Sequence, residues 1–283
     1  MKDAMFKASV LMEALPYIKE HFGKTVVIKY GGNAMLNDEL KEGIASDVVL
    51  MKYVGMNPVV IHGGGPDISA AMKAANIEVK FVDGLRVTDE ATIKIVKSVL
   101  AGKINKELVG LVNTHGKLAK GLIGDDGLIM AGKKQGSVDL GFVGEVSGVN
   151  PKELLEVINE GYVPVIASLA LGEDGNSYNI NADLAAGAVA AAIGADKIIF
   201  LSDVAGLYRD FDDKSTLISE LSAAECRTMV KEKHVAEGML PKLEGCLKAL
   251  DAGVNRAHIL DGTIKHALLL EVFTTAGVGT MIT

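Results

Sequence analysis

The sequence predicts an α/β fold with two lobes, in which an open, mainly parallel sheet is sandwiched between helices. Several short runs of β-branched and aliphatic residues are apolar throughout, which is typical of strands buried on both faces. Segments with apolar residues at the spacing of one helix face alternate with these runs. The predicted strands are residues 25–30, 58–62, 163–167, 197–201 and 256–260.

Helices are predicted before the first strand and between the others. Pro16 lies inside the helical pattern of residues 2–22 and should kink or break that helix, because proline lacks an amide hydrogen. A long helix is predicted over 88–113, and the glycine-rich stretch 118–149 suggests a hairpin-like insertion. Further helices are predicted at residues 39–56, 66–75, 151–160, 183–193 and 241–252.

The chain is expected to divide into three segments. Residues 1–22 form an N-terminal helix, and residues 23–175 and 176–283 form the two lobes. No repeat, low-complexity tract or flexible linker marks the lobe boundary, which is placed just past the turn at 172–175.

Composition and charge exclude several classes of protein. Of 283 residues, 49% are hydrophobic and 23% are charged, which suits a packed core and not a disordered chain. Lys and Arg total 29 against 36 Asp and Glu, so the net charge is −7, whereas a general nucleic-acid-binding protein needs a basic surface. A local basic site for a small anion stays open.

Cysteine content and hydropathy give no sign of secretion or membrane insertion. Cys226 and Cys246 are too few for a disulfide framework and lack the spacing of a zinc site. Charged residues stand at the N-terminus where a secretory signal would have its apolar region. The most apolar helical run, 184–195, is far shorter than the ~20 residues that span a bilayer. We therefore expect a cytoplasmic protein with neither a membrane nor a nucleic acid as partner.

Two predicted strands end in glycine loops, Gly31-Gly32 and Gly63-Gly64-Gly65. In an open α/β sheet, ligands collect at the carboxyl ends of strands. Glycines let backbone amides approach a ligand, and the start of the following helix favours an anion. One such loop could be only a tight turn, but two on successive strands favour a binding site.

Two lysines and an aspartate accompany glycine turns or helix starts. Lys29 lies at the end of a predicted buried strand, so it needs a counter-charge, a shifted pKa or a path to solvent. Lys242 stands at a predicted helix start, and Asp183 opens another helix, where a carboxylate also favours the helix dipole.

Better-known nucleotide and metal motifs are absent from the sequence. Gly23-Lys24-Thr25 looks like the end of a P-loop, but the position five residues earlier is Ile18 rather than glycine. No G-x-G-x-x-G follows a strand, and the six histidines show no H-E-x-x-H motif. We expect no metal site built from protein side chains alone.

Six motifs, taken together and in order, resemble the amino acid kinase family. Each motif is weak alone, but the set extends from Lys29 to the C-terminal Gly277-Val278-Gly279-Thr280, so the resemblance covers nearly the whole chain. The motifs are Lys29-x-Gly31-Gly32, His62-Gly63-Gly64-Gly65, Arg86-Val87-Thr88, Asn179-x-Asn181-Ala182-Asp183, Ser202-Asp203-Val204-x-Gly206 and Gly238-Met239-x-Pro241-Lys242.

The resemblance implies an amino acid kinase-like fold and phosphoryl transfer from ATP to the γ-carboxylate of N-acetyl-L-glutamate, a step of arginine biosynthesis. On the family pattern, Lys29 serves the nucleophile and the phosphoryl oxygens, Lys242 serves the leaving β–γ bridge, and Asp183 holds both ammonium groups. Residues 23–175 would bind N-acetylglutamate, and residues 176–283 would bind ATP with Mg²⁺ carried on its phosphates.

The family pattern also assigns the binding residues. Gly64 and Gly65 would contact the substrate through backbone donors, and Asn179 would bond its acetamido group or the neighbouring carboxylate. Arg86 would form a bidentate pair with the α-carboxylate, unless it is only an exposed salt-bridge former. The residues assigned to the nucleotide are Gly31, Gly32, Ser202, Asp203, Gly206, Tyr208, Gly238 and Met239.

The helix at residues 1–22 has two interpretations. It could pack on its own domain. In arginine-inhibited members of the family, such a kinked helix interlaces dimers into a hexameric ring, and an arginine pocket lies between this helix and the C-terminal lobe. The residues that match this pocket are Tyr17, Lys197, His258, Glu271 and Gly277. The resemblance therefore implies arginine as an inhibitor and a homohexamer built from dimers.

Other functions stay open at this point. The acceptor could be an aminoadipate derivative, carbamate, aspartate or a nucleoside monophosphate, although Arg86 with Asn179 favours a small N-acylated amino acid. The chain could instead be a catalytically silent arginine sensor, against which the two lysines and Asp183 argue. Family members commonly have two glycines before the methionine, whereas here Glu237 precedes Gly238, and this departure concerns the loop over the nucleotide.

Overall fold

Strands and helices alternate along the chain, as predicted. A computed structural model describes residues 1–133, 138–210, 212–232, 235, 237–274 and 277–283. The strands are β1 (Thr25–Tyr30), β2 (Asn57–His62), β3 (Phe81–Val82), β4 (Leu85–Arg86), β5 (Ala119–Ile123), β6 (Ile129–Lys133), β7 (Val143–Val149), β8 (Val163–Ala167), β9 (Leu169–Gly172), β10 (Ser177–Ile180), β11 (Lys197–Ser202), β12 (Glu220–Leu221), β13 (Arg256–Asp261) and β14 (Thr280–Ile282). The α-helices are α1 (Lys2–His21), α2 (Asp38–Tyr53), α3 (Gly65–Ala74), α4 (Glu90–Lys97), α5 (Asn105–Asn113), α6 (Lys152–Asn159), α7 (Ala182–Ala192), α8 (Ala223–Lys231), α9 (Leu240–Asp251) and α10 (Ala267–Phe273).

An eight-stranded sheet organises these elements, in the order β12-β14-β13-β11-β1-β2-β8-β5. Neighbouring strands run parallel except β13 and β14, which are antiparallel. The predicted open, mainly parallel sheet is therefore confirmed. In its centre, Lys29 pairs with Ile61 and Tyr30 with His62, so β1 and β2 end side by side.

Helices cover both faces of the sheet because alternate residues of its strands point to opposite sides. On β1, Ile28 and Tyr30 belong to one core, which also contains residues of α2, α3, α4, α5 and α10. Val27 belongs to the other core, with residues of α6, α7, α8 and α9. The predicted sandwich of helices around the sheet is confirmed.

A separate closed barrel consists of β6, β7, β9 and β10. The hairpin predicted within 118–149 is present as the antiparallel pair β6 and β7. The prediction is wrong for residues 119–123, which form the edge strand β5 of the main sheet, parallel to β8. Lys120 and Gly121 interrupt the apolar pattern of this strand and so obscure it in the sequence. The short strands β9 and β10 were not predicted.

The helix predicted over 88–113 consists of three consecutive helical pieces. Its start is at Glu90 rather than residue 88, because Asp89 caps α4 by accepting a hydrogen bond of 2.7 Å from the Thr92 backbone amide. A π-helical stretch, Ser98–Ile104, joins α4 to α5. At the N-terminus, α1 continues through Pro16, so this proline does not end the helix.

The predicted lobe boundary near residue 175 falls in the turn between β9 and β10, where Gly175 has a φ of 78°. Strands from residues 23–175 fill one half of the main sheet, and strands from residues 176–283 fill the other half. The division into functional lobes stays a prediction. Among the described residues, no helix has the length and apolar character needed to cross a bilayer.

Helices α7 and α9 pack with their backbones in close approach. A Cβ atom at Gly187 of α7 would lie 2.5 Å from the Gly245 carbonyl oxygen, and one at Gly245 of α9 would lie 2.6 Å from the Asp183 carbonyl oxygen. Only glycine permits such an approach. The spacing of the two helices therefore depends on these two residues.

The substitution Gly187→Ala should lower the free energy of unfolding by about 1–3 kcal/mol, because the new methyl group overpacks two helix backbones. Gly43 of α2 provides the control, since a Cβ atom there meets nothing within 4 Å. Gly43→Ala should raise the free energy of unfolding by roughly 0.5–1 kcal/mol. Urea denaturation followed by circular dichroism measures both, and a Gly187→Ala protein as stable as the parent would contradict the close packing.

Candidate active site

The carboxyl ends of β1 and β2 lie side by side, and each continues into a glycine loop. The backbone amide of Gly63 donates a hydrogen bond of 3.0 Å to the Tyr30 carbonyl oxygen, which ties the second loop to the end of β1. Helix α3 begins at Gly65, the last glycine of this loop, with Gly64 as its N-cap. The structure thus brings the two predicted loops together at the edge where parallel sheets bind ligands.

Three charged side chains from three elements meet at this edge. Lys29 Nζ on β1 lies 3.0 Å from Asp183 Oδ1, and Lys242 Nζ on α9 donates a hydrogen bond of 3.1 Å to Asp183 Oδ2. The exposed fractions of the three side chains are 9%, 16% and 8% for Lys29, Lys242 and Asp183. The three residues predicted to act together therefore form one buried cluster, called here the lysine–aspartate cluster.

Asp183 stays ionised in this cluster. Burial would raise the pKa of its carboxyl group, but the ammonium groups of Lys29 and Lys242 outweigh burial and hold the pKa below its ordinary value. Asp183 is also in the first turn of α7, where the backbone amides favour negative charge. Asn181 caps this turn by accepting a hydrogen bond of 2.8 Å from the Asp183 amide. With two cations around one anion, the cluster is net positive.

The two glycines of the first loop lie against charged side chains. A Cβ atom at Gly31 would lie 2.8 Å from Lys29 Nζ, and one at Gly32 would lie 2.4 Å from Asp203 Oδ1. Gly32 also has a φ of 74°, which residues with a side chain rarely adopt. The absence of a side chain at these two positions leaves the space that Lys29 Nζ and the Asp203 carboxylate occupy.

Arg86 is a buried cation next to the second glycine loop. Its Nη2 donates hydrogen bonds to Gly65 O at 2.9 Å and Ser69 Oγ at 2.8 Å, and its guanidinium lies 4.8 Å from the centre of the Phe81 ring. No carboxylate of the described chain lies within ion-pair distance of it. Burial lowers its pKa, so an anionic ligand would stabilise it. With an exposed fraction of 6%, Arg86 does not fit the alternative of a surface salt bridge.

One cavity of about 270 Å³ joins the two loops, the lysine–aspartate cluster and Arg86. Strand β10 brings Asn179 to its wall, where Asn179 Nδ2 donates a hydrogen bond of 3.2 Å to Thr88 Oγ1. Lys242 contacts Asp183 but does not belong to the lining. The predicted residues that line the cavity are Lys29, Gly31, Gly32, Gly64, Gly65, Arg86, Asn179 and Asp183.

Several side chains of this cavity were not predicted from the sequence. Ser168, with an exposed fraction of 2%, directly follows β8, so the rule for strand ends that indicated the glycine loops could also have indicated it. Asn181 appears in a motif, but its capping role was not predicted. Phe81 carries no sequence signal, because β3 has only two residues.

Three of the residues predicted to bind the nucleotide lie at the end of β11 or shortly after it. Ser202 is the last residue of this strand, and the carboxylate of Asp203 lies against Gly32. Gly206 has a packing role, because a Cβ atom there would lie 2.2 Å from Thr280 Oγ1. Contact of these residues with a nucleotide stays a prediction.

The other predicted nucleotide residues lie further along the chain. The Tyr208 ring centre is 4.6 Å from the ammonium of Lys214. Met239 is buried in the core that contains α7 and α9, and a Cβ atom at the preceding Gly238 would meet nothing within 4 Å. The side chain of Glu237 lies outside the described part of the chain. In the ranges that the structure describes, no group of three His, Cys, Asp or Glu side chains is placed to hold a metal ion.

A second cavity, of about 410 Å³, lies between the last turn of α1 and residues of β11, β13 and α10. Acidic and basic side chains both line it. Sequence analysis missed Glu20, His21, Glu220 and Arg256 in its wall. All five residues predicted for an arginine pocket do line it: Tyr17, Lys197, His258, Glu271 and Gly277.

The charged side chains of this second cavity differ in their pairing. Arg256 Nη1 lies 3.8 Å from Glu20 Oε1. Lys197 is buried, its Nζ lies 3.5 Å from His21 Nε2, and no described carboxylate pairs with it. Burial, followed by the charge of Arg256, lowers the pKa of Lys197. Glu271 is instead well partnered: His258 Nδ1 lies 2.7 Å from its Oε1, and the amide of Val278 donates to its Oε2 at 2.9 Å.

Comparison of the sequence with known proteins identifies its family. The sequence model of the amino acid kinase family matches residues 24–261. This chain belongs to the amino acid kinase family. An acetylglutamate kinase of Pelotomaculum thermopropionicum is 54% identical, over 98% of this chain and 97% of its own length. An acetylglutamate kinase of Caldanaerobacter subterraneus is 52% identical, over 99% of this chain and 94% of its own length. The resemblance carried by the six motifs is confirmed.

Solved structures share the fold. The N-acetylglutamate synthase of Neisseria gonorrhoeae, complexed with coenzyme A and N-acetyl-glutamate, matches 98% of this chain with a TM-score of 0.86 and 25% identity, and the chain spans 63% of that synthase. The same synthase complexed with coenzyme A and L-arginine gives a TM-score of 0.79, and the chain spans 65% of it. The carbamate kinase of Giardia, at 17% identity and a TM-score of 0.71, agrees in fold.

Proposed function

We propose that this chain is an acetylglutamate kinase, which transfers the γ-phosphoryl group of ATP to the γ-carboxylate of N-acetyl-L-glutamate in arginine biosynthesis. The observation that carries the proposal is the buried lysine–aspartate cluster beside a cavity that also holds the unpaired guanidinium of Arg86. The acetylglutamate kinases that share half of this sequence support the same reaction.

The reaction brings two anions together, so the site must supply positive charge. A γ-carboxylate oxygen attacks the γ-phosphorus, an O–P bond forms, and the bond from phosphorus to the β–γ bridging oxygen breaks, with ADP taking its electron pair. The nucleophile is already ionised, so it needs no general base. Lys29 stabilises the nucleophile side and the phosphoryl oxygens, Lys242 stabilises the leaving bridge oxygen, and Asp183 keeps the two ammonium groups in place.

The nucleotide occupies the half of the sheet built from residues 176–283, beside the carboxyl end of β11. Asp203 lies against Gly32 at this point, which joins the nucleotide side to the first glycine loop. Mg²⁺, carried on the phosphates of ATP, supplies further neutralisation of their charge.

Two cationic side chains in the first cavity, Lys29 and Arg86, select the acceptor. Arg86 forms a bidentate pair with the α-carboxylate, while the reacting γ-carboxylate lies near Lys29. The backbone amides of Gly64 and Gly65 donate to the bound substrate, with Gly64 at the γ-carboxylate oxygen that receives the phosphoryl group, and Asn179 bonds the acetamido group. A dicarboxylic acceptor uses both cations, whereas carbamate has one carboxylate and would leave one cation unpaired.

Substitution of the three cations should separate catalysis from substrate binding. Lys29→Ala and Lys242→Ala should lower kcat by about 10²–10³-fold, because they remove charge from the transition state. Arg86→Ala should instead raise KM for N-acetylglutamate about 10–100-fold, which corresponds to the loss of a charged hydrogen-bonded pair. A coupled assay of ADP release measures these constants, and an equal loss of affinity in all three variants would contradict the roles.

The same assay with a panel of acceptors tests the substrate. N-acetylglutamate should react faster than N-acetylaminoadipate, carbamate or aspartate. For Lys29→Ala and Lys242→Ala, the matched control is Lys94→Ala, because Lys94 is 72% exposed and pairs with Glu90 on the surface. A parent protein that turns over no acceptor would favour the non-catalytic sensor.

The second cavity is proposed to bind arginine, which then inhibits the kinase. Arginine has a carboxylate and a guanidinium, and the cavity has a charged partner for each. The carboxylate of arginine contacts the ammonium of Lys197, which pairs with no described carboxylate, and its guanidinium contacts Glu271. His258 and Gly277 lie next to Glu271 in the wall, and Tyr17 adds contact from α1. The related synthase complexed with L-arginine supports this choice of ligand.

Arginine should inhibit the parent protein at millimolar concentration or below. Glu271→Gln should raise the arginine concentration for half-inhibition at least about tenfold, because a hydrogen bond to a charged group contributes about 1.5–3 kcal/mol. Glu153→Gln on the exposed face of α6 should leave this concentration unchanged. Initial rates over an arginine titration measure the effect, and an uninhibited parent would disprove the regulatory proposal.

The exposed part of α1 supports a hexamer assembled from dimers. Phe6, Leu11 and Leu15 are 68%, 72% and 51% exposed. Helix α1 packs on α10, and its buried or partly buried residues lie in its C-terminal half. An amphipathic helix is stable when its apolar face is covered. The corresponding helix of a second dimer would cover it.

Removal of residues 1–22 should convert the hexamer into dimers. Light scattering on the full chain and on the shortened chain measures the two masses. The substitution Leu11→Glu, at an exposed apolar position, should have the same effect without shortening the chain. A full chain that scatters as a dimer, or a shortened chain that stays hexameric, would refute the role of α1.

A further inference from the structure

A buried histidine lies beside the second glycine loop. His62, the last residue of β2, has an exposed fraction of 0%, and both of its ring nitrogens are engaged. Nδ1 lies 3.0 Å from Gly63 O, and Nε2 lies 3.2 Å from Nδ2 of the buried Asn105 on α5. Neither side chain lines the cavity, and the mechanism above uses neither.

The contacts of Asn105 fix the position of the proton on His62. Asn105 Nδ2 also lies 2.8 Å from Val165 O on β8. A carbonyl oxygen only accepts hydrogen bonds, so the group that faces it is the NH₂ of Asn105. The same NH₂ has His62 Nε2 at 3.2 Å and Leu122 O at 3.4 Å as its other neighbours. It donates its second hydrogen to the nearer of the two, His62 Nε2, which therefore carries a lone pair. Neutral His62 then has its proton on Nδ1 and donates it to Gly63 O.

His62 is neutral at physiological pH. Burial lowers its pKa to about 4, and the contact with Gly63 opposes this shift only in part. The ring therefore has one fixed donor and one fixed acceptor over the range in which the enzyme works.

The hydrogen bond from His62 sets the direction of the next peptide group. The carbonyl of Gly63 and the amide of Gly64 belong to one trans peptide, so they point in opposite directions. With the carbonyl held towards His62, the Gly64 N–H points away from the ring. The Gly64 amide has no hydrogen-bond acceptor among the described residues, and Gly64 lines the cavity.

The π-helical stretch before α5 supports the same loop from another side. A Cβ atom at Gly64 would lie 2.4 Å from Ile104 Cδ1 and 2.8 Å from Leu100 Cδ2. Asn105 is the residue immediately after this stretch. One irregular turn therefore carries both the apolar side chains against Gly64 and the amide that orients His62, which fits the frequent occurrence of π turns at functional sites.

We propose that His62 and Asn105 are positioning residues for phosphoryl transfer. Asn105 selects the tautomer of His62, and His62 turns the Gly63–Gly64 peptide so that the Gly64 N–H faces the transferred group. The inference rests on the proposed function, since the transferred group is the phosphoryl group of that reaction.

Two substitutions of His62 differ in whether the side chain can donate a hydrogen bond to Gly63 O. In His62→Asn, the side-chain amide nitrogen takes the place of Nδ1 and still donates to Gly63 O, whereas His62→Leu has no donor. His62→Leu should lower kcat about 10–100-fold, because a misdirected backbone donor loses transition-state stabilisation, with KM for both substrates within about threefold of the parent. His62→Asn should recover most of kcat. Equal kcat values for the two variants, or a loss confined to KM, would overturn the proposal.

A spectroscopic measurement tests the inference without activity. Histidine labelled with ¹⁵N reports which ring nitrogen carries the proton, and the His62 signals are identified by their absence in His62→Asn. The parent should show a neutral ring protonated at Nδ1 from pH 6 to pH 8, and protonation at Nε2 or a charged ring would overturn the proposal. This test holds if His62→Leu fails to fold. A parent that binds no N-acetylglutamate yet shows this tautomer would instead refute the proposed function alone.

Discussion

The position of one carboxylate between two ammonium groups is the constraint on which the site depends. A buried unpaired charge costs several kcal/mol, so Lys29 and Lys242 both require the carboxylate of Asp183, and Asp183 requires their ammonium groups. The sheet centre supplies the first lysine, and the capped first turn of α7 supplies the aspartate. The backbone contact between α7 and α9, at Gly187 and Gly245, brings the second lysine within reach. The fold and the charge cluster are therefore specified together.

The charge of the site is opposite in sign to that of the whole chain. The net charge of the protein is −7, but the lysine–aspartate cluster and Arg86 together make the first cavity positive. Burial of Lys29 and Arg86 strengthens their local field and favours anionic ligands over cations. For this reason the composition argues against a polyanionic partner such as nucleic acid, yet is consistent with a small anionic substrate.

Much of the fold follows from local sequence, and much of the site does not. The strands at 25–30 and 163–167 were predicted with the bounds observed, because β-branched and aliphatic residues dominate both. Strand β5 was misassigned and the barrel strands β9 and β10 were missed, since short or edge strands carry polar residues and glycine. The motifs located the first cavity, and the residues that match the arginine pocket of the family located the second. His62 and Asn105 meet only in the folded chain, so no local pattern could pair them.

The two cavities lie towards opposite ends of neighbouring strands. Lys197 begins β11 and lines the second cavity, whereas Lys29 pairs with Phe200 near the other end of β11 and lines the first. No described residue lines both, so a ligand in the second cavity cannot displace substrate by direct contact. Such a ligand inhibits only if it binds two arrangements of the chain unequally. A ligand that merely neutralised Lys197, without different contacts to α1 and α10 in the two arrangements, would bind without inhibiting.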